Sequence, residues 1–196
     1  MSKSDAERWN SRYADGAYEG RVHASRIVEH WADCSPRGRA LDVACGRGRN
    51  AVYLASKGFE VDAVDVSSVA LEHGANRARE LDVSVNWIEA DLDDYSFDNG
   101  PYQLIVVARF LNRNMMPSLL NALADGGYLI YETHLQSTIQ DVGGPSSARF
   151  RLSPQELLHL AYPLRVVHYF EGIANDPDGA PMALAQLVGC KGDGGF

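Results

Sequence analysis

Apolar positions in this chain fall into seven short runs separated by stretches of helical or turn character. The first, Ala40 to Ala44, leads through Cys45-Gly46-Arg47-Gly48 into a helical stretch from Asn50 to Lys57, and a second run then ends in Asp65. Ser67 or Ser68 caps a helix running to about Leu81, with Val69, Leu71 and Ala75 among its apolar positions. Val85 to Glu89 is a third strand, and Tyr102 to Ala108 (YQLIVVA) is the unbroken apolar run of a central parallel strand. Met115 to Ala124 predicts a short helix closed by Asp125-Gly126-Gly127, and Tyr128 to Thr133 a fifth strand. Ser153-Pro154-Gln155-Glu156 combines an N-cap, a first-turn proline and a capping-box Glu, so a helix is predicted to start there. Arg165 to Gly172 and Met182 to Cys190 form two strands around Asn175-Asp176-Pro177-Asp178-Gly179, a hairpin that leaves the last strand antiparallel.

Strands alternating with helices in this order predict an α/β fold: a Rossmann-like, seven-stranded, mostly parallel sheet with an antiparallel last strand and helices on both faces. The residues ahead of Arg39 carry helix signals of their own. Ser4 and Glu7 have capping-box spacing before a helix from Asp5 to Tyr13, which Gly16 and Gly20 break. A second helix from about His23 to Trp31 places Ile27, Val28 and Trp31 on one side. The predicted organisation is a single domain over 1–196, with an N-terminal helical flap (1–38) and a Rossmann-like core (39–196).

Chemistry concentrates where strand, glycine loop, helix and acid-tipped strand follow one another, the form of a nucleoside-binding half of a doubly wound sheet. Gly46 and Gly48 leave out side chains so that backbone and ligand can touch, and Asp65 is placed to accept hydrogen bonds from two ribose hydroxyls. Asp42 lies three residues before the loop; its carboxylate would repel a pyrophosphate and attract the ammonium and sulfonium of S-adenosylmethionine. Arg47 and Arg49 suit phosphates, the carboxylate of a methionine, or simply solvent. S-adenosylmethionine and NAD both remain compatible with Gly46, Gly48 and Ala51; the Asp42 and Asp65 bracket favours the former. Further along, Asp91 and Leu92 offer an acceptor and an apolar wall to an adenine, or make an acidic surface turn.

Arg109, at the mouth of the sheet, faces the cofactor, an anionic substrate or a salt-bridge partner. The cofactor-binding set is then Asp42, Ala44, Cys45, Gly46, Asp65, Val66, Asp91, Leu92, Ala108 and Arg109, to which the family resemblance described below adds Arg12. Trp9, Tyr13 and Tyr18 are either the inner face of the flap, stabilising a sulfonium through their rings, or plain packing. His134, beyond a strand tip, is the candidate general base because its proton affinity suits neutral pH; a hydrogen-bonded loop histidine is the other reading. Leu135 to Leu152 shows no periodicity and is expected to border the acceptor pocket, with Arg149 and Arg151 drawing in anions.

Composition narrows the class. The chain has 196 residues, enough for one sizeable core, with 45% hydrophobic and 22% charged residues and no repeat. A net charge of -8 opposes nucleic acid as the substrate, since phosphate binding calls for a basic face. No apolar stretch approaches a membrane span and MSKSDAERW is unlike a signal peptide, so no membrane partner and a cytoplasmic location are expected. Cys34, Cys45 and Cys190 fit reduced thiols, with Cys45 serving as a small side chain in its loop, and no cluster has metal-ligand spacing. The expected partner is a small-molecule acceptor, the chain acting as monomer or homodimer.

The segment DVACGRGRNAVYLASKGFEVDAVDVS resembles the S-adenosylmethionine-binding core of class I methyltransferases, in particular the tellurite and thiopurine resistance branch, through G-x-G-R-N followed by Y-L-A. The likeness runs from WNSRY to ALAQLVG. It implies transfer of a methyl group from S-adenosylmethionine to a small acceptor: a thiol, a chalcogen oxyanion or a hydroxyl. It also implies that the N-terminal segment closes over the cofactor with Arg12 on its carboxylate. Gln103 stands where the family often has Asp, and GIANDPDGAPM lacks the His-Arg pair that the tellurite branch carries near its final hairpin. Arg109-Phe110-Leu111-Asn112 replaces the N-P-P-Y-type tetrapeptide of enzymes acting on nucleic-acid amino groups. The alternatives are an NAD-dependent oxidoreductase and a non-catalytic S-adenosylmethionine-binding protein.

Overall fold

The computed structural model describes residues 3–139 and 142–193. Seven strands form one sheet: β1 (Arg39–Val43), β2 (Glu60–Asp65), β3 (Val85–Glu89), β4 (Tyr102–Ala108), β5 (Leu123–His134), β6 (Arg165–Asn175) and β7 (Pro181–Cys190), in the order β3-β2-β1-β4-β5-β7-β6. β1 to β5 pair in parallel, while β7 runs antiparallel to both β5 and β6. Strand order reverses between β1 and β4. Chain connections leave that point in opposite directions, so a crevice opens beyond the strands' carboxyl ends, where open α/β sheets take their ligands.

Helices α1 (Lys3–Ala14), α2 (Arg26–Trp31), α3 (Arg49–Ser56), α4 (Ser68–Glu80), α5 (Met116–Ala122) and α6 (Glu156–Leu160) surround the sheet. One face packs Ala40, Val61, Leu104, Val106, Ile130 and Val188 against Ile27 and Val28 of α2 and Ala51 and Leu54 of α3. The opposite face packs Leu41, Ile105, Leu129 and Leu187 against Leu119 of α5 and Leu157 of α6. Burial on both faces explains the near-continuous apolar runs of β1 and β4. α1 lies outside these layers, where the Asn10 carboxamide oxygen accepts from the hydroxyl of Ser67 (2.7 Å) at the start of α4.

Several boundaries depart from the sequence pattern. The helix predicted at Ser153 begins at Glu156, because Gln155 is left-handed (φ 63°) and spends its N–H on the Glu171 carboxylate (2.6 Å). Glu156 still reaches back to the Ser153 N–H at 2.8 Å, half of the expected capping box, and also pairs with Arg113. The turn predicted at Asp125-Gly126-Gly127 is instead part of β5, held by Gly126 N–H to Lys191 O (2.8 Å) and by Leu123 opposite Tyr102. His134 closes β5 rather than following it. The Ser4 side chain, on which the N-terminal capping box rests, lies outside the described residues.

Gly48 has a different reason from the one its motif suggests. Its φ is +70°, and a Cβ there would stand 2.3 Å from the indole of Trp87, which also fills the space beside Gly74. The missing side chain makes room for a tryptophan of β3, not for a ligand. Gly48→Ala combines left-handed strain with overpacking, and is expected to cost about 2–4 kcal/mol of stability. A urea midpoint unchanged from the parent protein would contradict this packing.

Candidate functional site

Beyond the tips of β1 and β2 the glycine loop is tied down by one carboxylate. Asp65 accepts the N–H of Gly46 on Oδ2 (2.8 Å) and the N–H of Ser67 on Oδ1 (2.9 Å), and is buried. Burial raises its pKa, opposed by those two backbone donors. Gly46 has φ +55° and Ala44 φ +54°, so the loop turns sharply just past β1. Ala44 and Cys45 are half-buried and Val66 is buried. Burial and the charge of Asp65 push the Cys45 thiol up, which leaves it a poor nucleophile and a small spacer.

Asp42 departs from the sequence expectation. Its carboxylate is 1% exposed and accepts the N–H of Ala51 (3.0 Å), in the first turn of α3. Rather than facing out toward a ligand's positive tail, it satisfies an orphan donor at a helix N-terminus. Burial pushes its pKa up to about 7, against the pull of Ala51 N–H and the charge of Arg49.

The N-terminal segment lies over this loop. Tyr13 is 8% exposed, and its hydroxyl stands 2.6 Å from where a Cβ on Gly46 would be, so the ring occupies the open face of the glycine. Burial first, then the charge of Asp65, raises the Tyr13 pKa. Arg47 donates to Tyr13 O (3.1 Å), which latches α1 to the loop. Trp9 and Tyr18 flank Tyr13 with ring centroids 5.8 and 6.0 Å away. Arg12 is exposed and stacks on Trp9 (4.9 Å), donating to the Tyr18 hydroxyl at 3.4 Å; it is not brought to the glycine loop. Leu92 is buried in the sheet's core and Asp91 accepts the N–H of Asp93 (2.9 Å) beyond β3.

A second polar group sits beyond β4 and β5. Arg49 binds Asp176 through two hydrogen bonds (2.6 and 2.9 Å), and Asp176 also receives Arg109 at 3.3 Å. Arg109 has φ +62°, lies beside half-buried Ala108, and approaches Glu132 at 2.8 Å. That approach is off line for a hydrogen bond: Arg109 Nε and Nη1 and Glu132 Oε1 are buried without hydrogen-bond partners. Burial alone would raise Asp176, but hydrogen bonds and charge from Arg49 and the charge of Arg109 bring it to about 2. Of the readings open for Arg109, the salt bridge is the one observed. Glu132 and Asp176 escaped the sequence reading; the only signal was an acid inside the apolar run YLIYETH.

His134 is 8% exposed with Nδ1 unpartnered. Burial, then the charges of Arg109, Arg151 and Arg21, lower its pKa to about 3. The expected neutral-pH base is therefore corrected: in this setting the imidazole holds a proton too weakly to serve. Arg149 stacks on Phe150 at 4.7 Å, whereas Arg151 reaches inward to Leu135 O (3.0 Å). Among the described residues no group of three or more His, Cys, Asp or Glu is arranged to hold a metal, and no helix is long and apolar enough to cross a membrane.

Residues 40–127, from β1 through the glycine loop, β2 and the Asp65 tip into β5, match the methyltransferase domain family. The fold is the Rossmann-like one of class I methyltransferases. Its sheet order is the one typical of that class. Among curated proteins it is 26% identical over 156 residues to the "Probable S-adenosyl-L-methionine-dependent methyltransferase TehB" of Haemophilus influenzae, covering 76% of this chain and 51% of that protein. It is 30% identical over 98 residues to a ubiquinone biosynthesis O-methyltransferase of Rickettsia felis, covering 49% and 39%. The chain thus spans about half or less of the length of these relatives.

Among solved structures, Haemophilus influenzae TehB superposes with a TM-score of 0.70 at 22% identity, over 92% of this chain and 66% of that one. The magnesium protoporphyrin IX methyltransferase of Synechocystis, solved with bound SAH, superposes with a TM-score of 0.71 at 13% identity, over 95% and 97%. At these identities the superpositions speak for the fold.

Asp42 gives the site a pH signature. A carboxyl whose pKa rises from 3.8 unfolded to about 7 folded stabilises the fold fully only below the lower value, and that contribution is lost as pH rises through the upper one. Between pH 4 and 7 the parent protein should lose on the order of 3 kcal/mol relative to Asp42→Asn. Denaturation midpoints of the two proteins measured across that range test it; parallel curves would refute the buried-acid assignment.

Proposed function

We propose that this chain transfers the methyl group of S-adenosylmethionine to a small acceptor. The observation that carries the proposal is the tethered glycine loop at the sheet's switch point, with Asp65 beneath it and an aromatic segment above. The residues present fit the cofactor. Each Asp65 oxygen accepts one backbone N–H and has a second lone pair for a ribose hydroxyl, and the face of Gly46 is covered by the Tyr13 ring. Asp91 and Leu92 are proposed at the adenine and Arg12 at the carboxylate, with residues 1–38 as the flap that Tyr13 anchors.

Bound S-adenosylmethionine supplies an electrophilic methyl carbon and a thioether leaving group. The protein's own part is to align an acceptor with that carbon and exclude water. Tyr13, Trp9 and Tyr18 offer ring faces that favour a cation in a dry enclosure. Burial and the neighbouring arginines hold His134 neutral at pH 7.

Calorimetry with S-adenosylmethionine and NADH tests the reading. S-adenosylmethionine should bind, NADH should not, and Asp65→Ala should weaken binding by at least about thirtyfold, the loss of two charge-assisted hydrogen bonds. Equal affinity of the Asp65→Ala protein and its parent would remove the basis of the proposal. Binding without methyl transfer to any thiol, oxyanion or hydroxyl in a panel would leave a cofactor-binding protein instead.

A further inference from the structure

A cleft of about 480 Å³ opens between the segment that joins α1 to α2, the glycine loop and the side of α4. That volume accommodates a ligand of metabolite size. The lining includes Arg47 of the glycine loop but not Gly46, Asp65, Asp91 or Leu92, so the cleft is separate from the place assigned to the cofactor. Three arginines line it, Arg21, Arg47 and Arg77, and all three are half-buried. Among the described residues none of them forms an ion pair, in a chain whose 26 acids outnumber its 18 basic residues.

Two of these guanidinium groups are held in place. Arg47 donates through Nη2 to Tyr13 O (3.1 Å), and its Nε is buried without a hydrogen-bond partner. Arg21 stacks on the Tyr18 ring at 4.7 Å. Half-burial removes water from a guanidinium without supplying a counter-charge, so three of them around one cleft favour an anion between them. Glu19 and Glu80 line the same cleft, exposed, and neither pairs with an arginine. Their carboxylates accept hydrogen bonds and repel added negative charge, which suits hydroxyl groups and disfavours a ligand charged along its whole length. Val22 and Leu81, 39% and 54% exposed, add apolar surface for a carbon skeleton.

We propose that this cleft is a second binding site, for a phosphorylated small molecule that carries hydroxyl groups. Its phosphate lies among Arg21, Arg47 and Arg77, whose planar donors match phosphate oxygens, and its hydroxyls donate to Glu19 and Glu80. Such a ligand bridges the segment ahead of α2 to α4 and to the glycine loop, three parts of the chain that share this one cleft. The site stands apart from the methyl-transfer reading: it takes no part in the chemistry and does not depend on which acceptor is used.

The test is calorimetry on the full chain at constant ionic strength, with ribose 5-phosphate, ribose and inorganic phosphate added separately. Ribose 5-phosphate should bind saturably and more tightly than inorganic phosphate, and ribose should not bind. Arg77→Gln should weaken ribose 5-phosphate about tenfold or more, the loss of a charge-assisted contact, and Arg77→Lys should weaken it less. Arg165→Gln, the same change of charge on β6 at the other edge of the sheet, should leave it unchanged. Saturating S-adenosylmethionine should not displace it. Absence of binding, equal affinity for ribose or for inorganic phosphate, unchanged affinity in Arg77→Gln, or displacement by S-adenosylmethionine would overturn the proposal. Should Arg77→Gln fail to fold, Arg21→Gln makes the same comparison from the opposite wall of the cleft. A parent protein that binds ribose 5-phosphate but not S-adenosylmethionine would keep this site and sink the methyltransferase reading, so the two fail separately.

Discussion

One carboxylate holds the functional end of this protein together. Asp65 ends β2, and its two oxygens take the N–H of Gly46, from the loop after β1, and the N–H of Ser67, at the start of α4. Three chain segments thereby share one buried charge at the point where the sheet's strand order reverses. The geometry is costly without its partners, since a buried carboxylate stripped of donors pays its full desolvation. The loop is consequently held in one shape, with its backbone facing the space beneath Tyr13. Asp42 does the same one strand away for the first turn of α3, so both acids of the nucleoside unit work first on the backbone.

A second buried charge group lies beyond β4 and β5. Asp176 comes from the β6–β7 hairpin, Arg49 from α3 and Arg109 from the tip of β4, and together they fasten the hairpin to the helix that follows the glycine loop. The Ser25 hydroxyl accepts from Arg49 and the Ser25 N–H binds Asn50, so the approach to α2 is drawn into the same knot. Buried ion pairs contribute little net stability, because desolvation offsets their attraction. Their effect here is positional: removing any one partner strands a charge, so the arrangement is held to a single geometry. The helix that follows the glycine loop and the β6–β7 hairpin are thus mechanically joined through Arg49.

The two aromatic groupings divide the work differently. Tyr13 covers Gly46 and is covered in turn by Trp9 and Tyr18, whereas Trp87 fills the hollow beside Gly48 and Gly74. Two glycines of one motif therefore have separate physical reasons. Gly46 admits the Tyr13 ring of α1, and Gly48 admits the Trp87 ring of β3.

Local pattern determined much of this protein. Short unbroken apolar runs bounded by turn residues fit strands covered on both faces, as β1 and β4 are, so much of the sheet, the glycine turn after β1 and the cap of α4 at Ser67 were legible from spacing. The same pattern could not say which way a polar group would be used, because that depends on neighbours distant in sequence. Asp42 turned inward to α3, His134 lost its basicity to burial and to arginines just past β4 and in the loop after β5, and Glu132 and Asp176 found partners from other elements. The helix start at Ser153 moved for the same reason, when a carboxylate on β6 captured the Gln155 N–H. Sequence periodicity reports how each segment meets water; the pairing of charges is decided only when folding brings remote segments together in a medium that screens them weakly.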